Sequence, residues 1–300
     1  MTHASQTLQT RLQPSDNTLE QELKSLVRKA LEEDLQNQSD ITSTAIIAAD
    51  ARGKARMIAK QDGVLSGLGA VQAVFTECAP DTNLRLEKSN GDTIHNGDVI
   101  CTVEGNIRQI LLAERTALNF TGHLSGVATL TARYVAAVKG TNAKIMATRK
   151  TLPGLRCLQK QAVIDGGGDP HRYGLYDAIL IKDNHLEAMQ NDIEATMQKV
   201  VEYNKDKHPV ILELESLSQI ETLLALPENL HPDRVLLDNM NVTTMKRAVD
   251  MIAGRFDTEA SGGITLETIR DYALTGVDAI SCGALTHSAT IFDLSMEITQ

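Results

Sequence analysis

At 300 residues, the chain is long enough for one large domain or two modest ones with a sizeable core. Its net charge of −10 argues against a general nucleic-acid binder, yet a local cationic cluster can still hold a small anion. Aromatics make up 3% and Trp is absent, so the core rests on Leu, Ile, Val and Ala, which suits β/α architecture.

Residues 1–18 are polar and unpatterned, and read as a loose tail. From Leu19 the series Leu19, Leu23, Leu26, Val27, Ala30, Leu31 has helical spacing, predicting a helix over Leu19–Leu35. Short or alternating apolar runs predict strands at Gly53–Ala59, Gly63–Ser66, Asn83–Leu86 and Val99–Val103, with a helix over Gly69–Thr76. Between them, Asn90-Gly91 and Asn96-Gly97 bracket a short segment and predict a structural hairpin. A biotinyl or lipoyl carrier hairpin would present a lysine at its tip, and neither turn has one. A long helical stretch covers Ile107–Val138, with Gly122 and Gly126 expected to divide it. The boundary between a sandwich-like first part and a β/α second part is placed near Gly126.

The second half alternates short apolar segments with helical stretches, the pattern of a parallel sheet with crossover helices. The segments are Ile145–Lys150, Ile179–Asn184, Val210–Glu215, Val235–Asn239, Thr258–Gly263 and Ala279–Gly283. In a β/α barrel the C-terminal strand ends open on one face, which carries the active site. That face would gather Arg149, Lys150, Lys182, Glu213 and Asp238 beside glycine-rich backbone. Such a rim suits a polyanionic substrate and a metal.

Each segment has its own chemistry. Arg149 offers a planar fork for a carboxylate, whereas Lys150 is a point charge suited to phosphate. Gly166-Gly167-Gly168 precedes Asp169-Pro170-His171-Arg172. It reads either as a linker or as a close approach that brings Arg172 and His171 onto a second carboxylate. Lys182 either binds an anion or, with a depressed pKa, forms a Schiff base. Glu213 and Asp238 suit Mg²⁺, which takes oxygen ligands and shares them with substrate phosphates. Glu215 shares the pleat face of Glu213. Ser261-Gly262-Gly263 ahead of a helix start suits a phosphate, and the Ser281–Ser288 stretch, with Gly283 and His287, could complete the cup.

Cys78, Cys101, Cys157 and Cys282 lack close pairs and zinc spacing, and read as reduced thiols. No signal segment or membrane-length apolar run is evident. A cytoplasmic protein without membrane or nucleic-acid partners is expected.

Thr148-Arg149-Lys150-Thr151-Leu152-Pro153-Gly154, Gly166-Gly167-Gly168 with His171-Arg172, Lys182-Asp183-Asn184-His185, Leu237-Asp238-Asn239, Ser261-Gly262-Gly263 and Gly283–Ser288 follow one another in order. With Glu114-Arg115-Thr116-Ala117-Leu118-Asn119 upstream, this series resembles the quinolinate phosphoribosyltransferases from about Leu19 to Ser288. Pro170 stands where that pattern has a polar residue, commonly Asn. The resemblance implies an N-terminal α/β sandwich (19–125, joined by 289–300) and an incomplete parallel β/α barrel (126–288). It implies transfer of phosphoribosyl from 5-phosphoribosyl 1-pyrophosphate to quinolinate with loss of carbon dioxide, using Mg²⁺ in a homodimer with shared sites. Arg149, His171, Arg172 and Lys182 would then line the quinolinate pocket, with Arg115 entering from the partner chain. Lys150 would lie between the substrates, and Glu213 and Asp238 on the ribose and magnesium side. Ser261, Gly262, Gly263, Gly283 and His287 would take the 5-phosphate. The rival readings are a Schiff-base lyase using Lys182, a phosphosugar-binding protein, and a phosphoribosyltransferase for another aromatic acid.

Overall fold

The computed structural model describes residues 16–36 and 38–299. The expected tail therefore lies outside the described residues, except that Asp16, Asn17 and Thr18 already belong to the first helix, Asp16–Leu35. A short helix not foreseen, Ile41–Ile46, follows an Asp40 cap whose carboxylate accepts from the backbone N–H of Thr42 and Ser43, both at 3.0 Å.

The strands are β1 (Arg52–Ala59), β2 (Gly63–Val64), β3 (Thr82–Leu86), β4 (Thr93–Ile94), β5 (Val99–Asn106) and β6 (Lys144–Met146). There follow β7 (Ile179–Ile181), β8 (Val210–Leu214), β9 (Arg234–Asp238), β10 (Asp257–Ser261), β11 (Ala279–Ser281) and β12 (Leu294–Thr299).

An antiparallel sheet in the order β12-β1-β5-β3 carries one core. Its buried face supplies Ala55, Met57 and Val103; Val27 and Leu31 of the first helix and Val71, Val74 and Phe75 of the helix Leu68–Cys78 pack against it. Burying each such side chain contributes about 1.5–3 kcal/mol. The C-terminal β12 pairs with β1, with Met296 opposite Met57. The Asn-Gly segment does not fold on itself as expected. Instead β4 pairs with β2, Thr93 opposite Val64, and Asp98 closes its second turn by accepting from the His95 N–H at 3.1 Å.

Nor is the long helix divided: Ile107–Ala137 is one element. Gly122 and Gly126 serve close approach instead. A Cβ at Gly126 would lie 2.0 Å from the Thr290 carbonyl oxygen, and one at Gly122 2.9 Å from that of Phe292. Both glycines let a returning strand of backbone lie against the helix.

The parallel sheet has the order β6-β11-β10-β9-β8-β7. The strands β6 and β7 do not pair with each other; the outer edge of β6 instead meets Asp169 of the loop before β7, in a single bridge from Met146. All of β8 is buried, as expected of a parallel strand covered on both faces. Two compact units result. One takes Arg133–Lys150 and Gly168–Ala284, with the parallel sheet; the other takes 16–132, Thr151–Gly167 and 285–299, with the antiparallel sheet. The expected boundary at Gly126 lies inside the long helix. All four cysteines are free, and no helix among the described residues is long and apolar enough to cross a membrane.

Candidate active site

The C-terminal ends of the parallel strands open into a recess of about 350 Å³, within the range of small-molecule sites. Arg149 and Lys150 enter from the turn after β6, His171 and Arg172 from the loop before β7, and Lys182 from the end of β7. Glu213, Asp238 and Ser261 line it from β8, β9 and β10. Ser261 stands in register with Asp238.

The two arginines define one half of the mouth. Arg172 is buried, and its Nη1 donates to the Ala178 carbonyl at 3.1 Å. Burial, then the facing Arg149 charge, pulls the Arg172 guanidinium below its usual value, with Asp177 and Glu259 acting the other way. Arg149 has a buried Nε–H without a hydrogen-bond partner. Two guanidiniums held against their mutual repulsion, one with an unused donor, have the chemistry to accept two carboxylates.

Beneath them runs a column of charge. Glu259 of β10 is fully buried, and its Oε2 accepts from Arg234 Nη1 at 3.1 Å and faces His171 Nε2 at 3.2 Å. Burial pushes the Glu259 carboxyl up, but contacts with His171, Arg234 and Ser281 outweigh it and hold the group down to about 2. Arg234 also lies 3.8 Å from Asp257 Oδ2. His171 Nδ1 accepts from the Arg172 backbone N–H at 2.6 Å, which places the ring proton on Nε2. Sequence reasoning missed Glu259 and Arg234. Their signal was a charged residue inside a short strand that must be buried, which is uncommon unless the charge is paired.

On the other half, Lys182 Nζ lies 3.4 Å from Glu213 Oε2, and the lysine side chain is 48% exposed. That is not the desolvated, uncompensated setting that activates a Schiff-base lysine. Burial raises the Glu213 carboxyl above its ordinary range; Lys182 opposes this and Asp238 adds to it. Asp238 accepts from the Asn239 side-chain amide at 2.6 Å. Gly262, at φ 96°, is required here because a Cβ would meet the Asn239 backbone nitrogen at 2.6 Å.

Other expected residues lie off the lining. Gly262 and Gly263 follow the lining residue Ser261, and Gly283 follows Ser281 by two positions. His287, whose Nδ1 is 2.7 Å from Ser288 Oγ, belongs to the antiparallel-sheet unit. So does Arg115, which lines a separate recess with Asp34 and Leu112. Among the described residues, no group of three or more His, Cys, Asp or Glu side chains is arranged to hold a metal by itself.

A parallel β/α sheet whose strand ends set paired guanidiniums beside paired carboxylates is a barrel enzyme for a polyanionic substrate. Residues 127–297 match the C-terminal domain of quinolinate phosphoribosyl transferase, and residues 40–125 its N-terminal domain. The chain belongs to the quinolinate phosphoribosyltransferase family. A mitochondrial quinolinate phosphoribosyltransferase (decarboxylating) 2a of Nicotiana tabacum is 39% identical over 290 residues, 92% of this chain and 82% of its own. The nicotinate-nucleotide pyrophosphorylase (carboxylating) of Mycobacterium leprae is 40% identical over 277 residues, covering 91% and 95%. The solved nicotinate-nucleotide pyrophosphorylase of Francisella tularensis superimposes with a TM-score of 0.86 at 34% identity, covering 93% of this chain and 97% of that one.

Proposed function

We propose that this chain is a decarboxylating pentosyltransferase. It moves phosphoribosyl from 5-phosphoribosyl 1-pyrophosphate to the ring nitrogen of quinolinate, releasing pyrophosphate and carbon dioxide and leaving nicotinate mononucleotide. The observation that carries this reading is the opposed pair Arg149 and Arg172, with the unused Arg149 Nε–H. Quinolinate carries two adjacent carboxylates that such a pair can grip. Neither a monocarboxylate nor a neutral carbonyl substrate would satisfy both forks. Family membership sides with this reading over a Schiff-base lyase.

In this assignment Arg149, Arg172, His171 and Lys182 orient the diacid, with its nitrogen toward the sugar. Departure of pyrophosphate builds positive charge on the anomeric carbon and ring oxygen, as at other glycosyl centres. Glu213 and Asp238 stabilise that cationic sugar, while Lys150 neutralises the leaving group. Once the nitrogen is ribosylated it is a pyridinium, so loss of the adjacent carboxylate leaves an ylide that the positive nitrogen stabilises. Decarboxylation therefore follows ribosylation. Carbon dioxide release in the absence of 5-phosphoribosyl 1-pyrophosphate would contradict that order. Ser261, Gly262, Gly263, Gly283 and His287 receive the 5-phosphate.

Mg²⁺ fits the donor set, because Glu213 and Asp238 repel each other across adjacent strands. Two carboxylates suffice for an ion that takes its remaining ligands from water and phosphate. Held there, Mg²⁺ supplies charge neutralisation to the pyrophosphate. The homodimer, with Arg115 supplied by the partner, belongs to the same proposal; its support is the family resemblance.

Purified protein incubated with quinolinate, 5-phosphoribosyl 1-pyrophosphate and Mg²⁺ should produce nicotinate mononucleotide. A preference for nicotinate over quinolinate as acceptor would sink the reading.

A further inference from the structure

The loop that delivers His171 and Arg172 has to be held in place against its own chemistry. His171 sits at φ 53°, a left-handed conformation that costs a branched or ring-bearing residue free energy. The guanidinium that follows it faces another guanidinium. Arg172 Nη1 is tied to the Ala178 carbonyl and the Asp169 backbone is bonded to Ile145 and Ala147, but none of these contacts fixes the His171 ring.

Two contacts do so from below. The His171 ring is fixed at both nitrogens: Nδ1 accepts the Arg172 backbone N–H at 2.6 Å, and Nε2 faces Glu259 Oε2 at 3.2 Å. The same carboxylate oxygen is fixed in turn by Arg234 Nη1 at 3.1 Å. The Glu259 charge also favours the Arg172 guanidinium, opposing the Arg149 repulsion. Held down to about 2, Glu259 is an anion throughout the neutral range.

We propose that Glu259 is a positioning residue: braced by Arg234, it locks the His171 ring and so sets the two-arginine cleft for the diacid. The inference rests on the phosphoribosyl-transfer reading and adds to it a residue of the recess wall that acts on the diacid through His171. It makes a prediction opposite in sign to simple electrostatics. Removing a negative charge under a cationic cleft should tighten binding of a dianion, whereas removing a brace should weaken it.

The test is steady-state kinetics of wild type, Glu259→Gln and Glu259→Asp, with thermal melts of each. Glu259→Asp keeps the charge but withdraws the carboxylate by one methylene from His171. Both variants should raise the quinolinate KM about tenfold, the scale of a small misplacement of binding groups. The KM for 5-phosphoribosyl 1-pyrophosphate should stay within about twofold of wild type, since the partners of Glu259 (His171, Arg234 and Ser281) include none of the residues assigned to that substrate. An unchanged or lower quinolinate KM in Glu259→Gln would overturn the inference. So would a parallel rise of both KM values with a collapsed melting temperature, which would make Glu259 a folding residue only. Should Glu259→Gln not be recovered folded, Glu259→Asp carries the same outcomes. A wild-type protein inert toward quinolinate overturns both the functional reading and this inference. An active wild type beside indifferent Glu259 variants overturns this inference alone.

Discussion

The two sheets bury different chemistry. Around the antiparallel sheet the core is Val27, Leu31, Met57, Val71, Phe75, Ile100 and their neighbours, and among the described residues of that unit Lys160 is the one charged side chain that is buried. Inside the parallel sheet His171, Arg172, Glu213, Arg234 and Glu259 are all buried. Burying a charge is costly unless it is paired, so the parallel sheet spends stability on a prearranged site while the antiparallel sheet supplies it. Substitutions in the first region should therefore change folding, and those in the second should change substrate affinity and turnover.

The largest expected effect lies in the first region. Gly126→Ala puts a Cβ 2.0 Å from the Thr290 carbonyl oxygen, a backbone atom with no easy retreat, and should cost about 3 kcal/mol or more. A melting temperature within a degree or two of wild type would show that this packing gives way freely. In the second region, Asp238→Asn should lower kcat about a hundredfold, as expected when a charge that stabilises the transition state is lost. It should also blunt the magnesium dependence with little change in melting temperature. An unaltered rate and metal response would remove Asp238 from the chemistry.

Acid acts with opposite sign on one buried carboxyl from each region. Glu259, held to about 2 against an ordinary 4.5, contributes stability that is fully present above the ordinary value and is lost as pH falls from 4.5 toward 2. The loss is about 3 kcal/mol at most. Asp165, between Ser66 and Gln161 in the antiparallel-sheet unit, is pushed up by burial. Its contribution therefore improves as pH falls through its raised value. Denaturant unfolding across this pH range should show a steeper acid loss in wild type than in Glu259→Gln; parallel curves would mean the buried carboxylate is not charged. The smallest effect is that of Arg149→Lys. It keeps the charge but loses the fork, and should raise the quinolinate KM tens-fold, the equivalent of about 1.5–3 kcal/mol. The melting temperature should not move. A wild-type KM would show that Arg149 does not grip the diacid.

The strand ends of the parallel sheet were readable because each apolar run stops at a charged or glycine-rich stretch, as Ile181 gives way to Lys182, Leu237 to Asp238 and Ser261 to Gly262-Gly263. Ordered motifs then supplied the family and its function. Residues whose role depends on a neighbour far along the chain were not readable. Arg234 and Glu259 look like interruptions of a strand until the sheet sets them side by side with His171. Gly122 and Gly126 carry the usual signal of a helix break, yet they answer to backbone near Thr290, which no local window contains. The Asn-Gly turns were legible as turns, with Gly91 and Gly97 both at positive φ. The pairing of β4 with β2 was not, because a two-residue strand holds no register information.

The seam between the edge strands of the parallel sheet bears on what the substrate does to the protein. Arg149 follows β6, and Arg172 is tied to Ala178 at the start of β7. The seam between β6 and β7, where Met146 bridges only Asp169 of the intervening loop, is thus flanked by two like charges. A diacid gripped by both would act as a clasp across that seam. Ligand binding would then reinforce a girdle that the polypeptide joins by a single bridge, and occupancy would stiffen that seam.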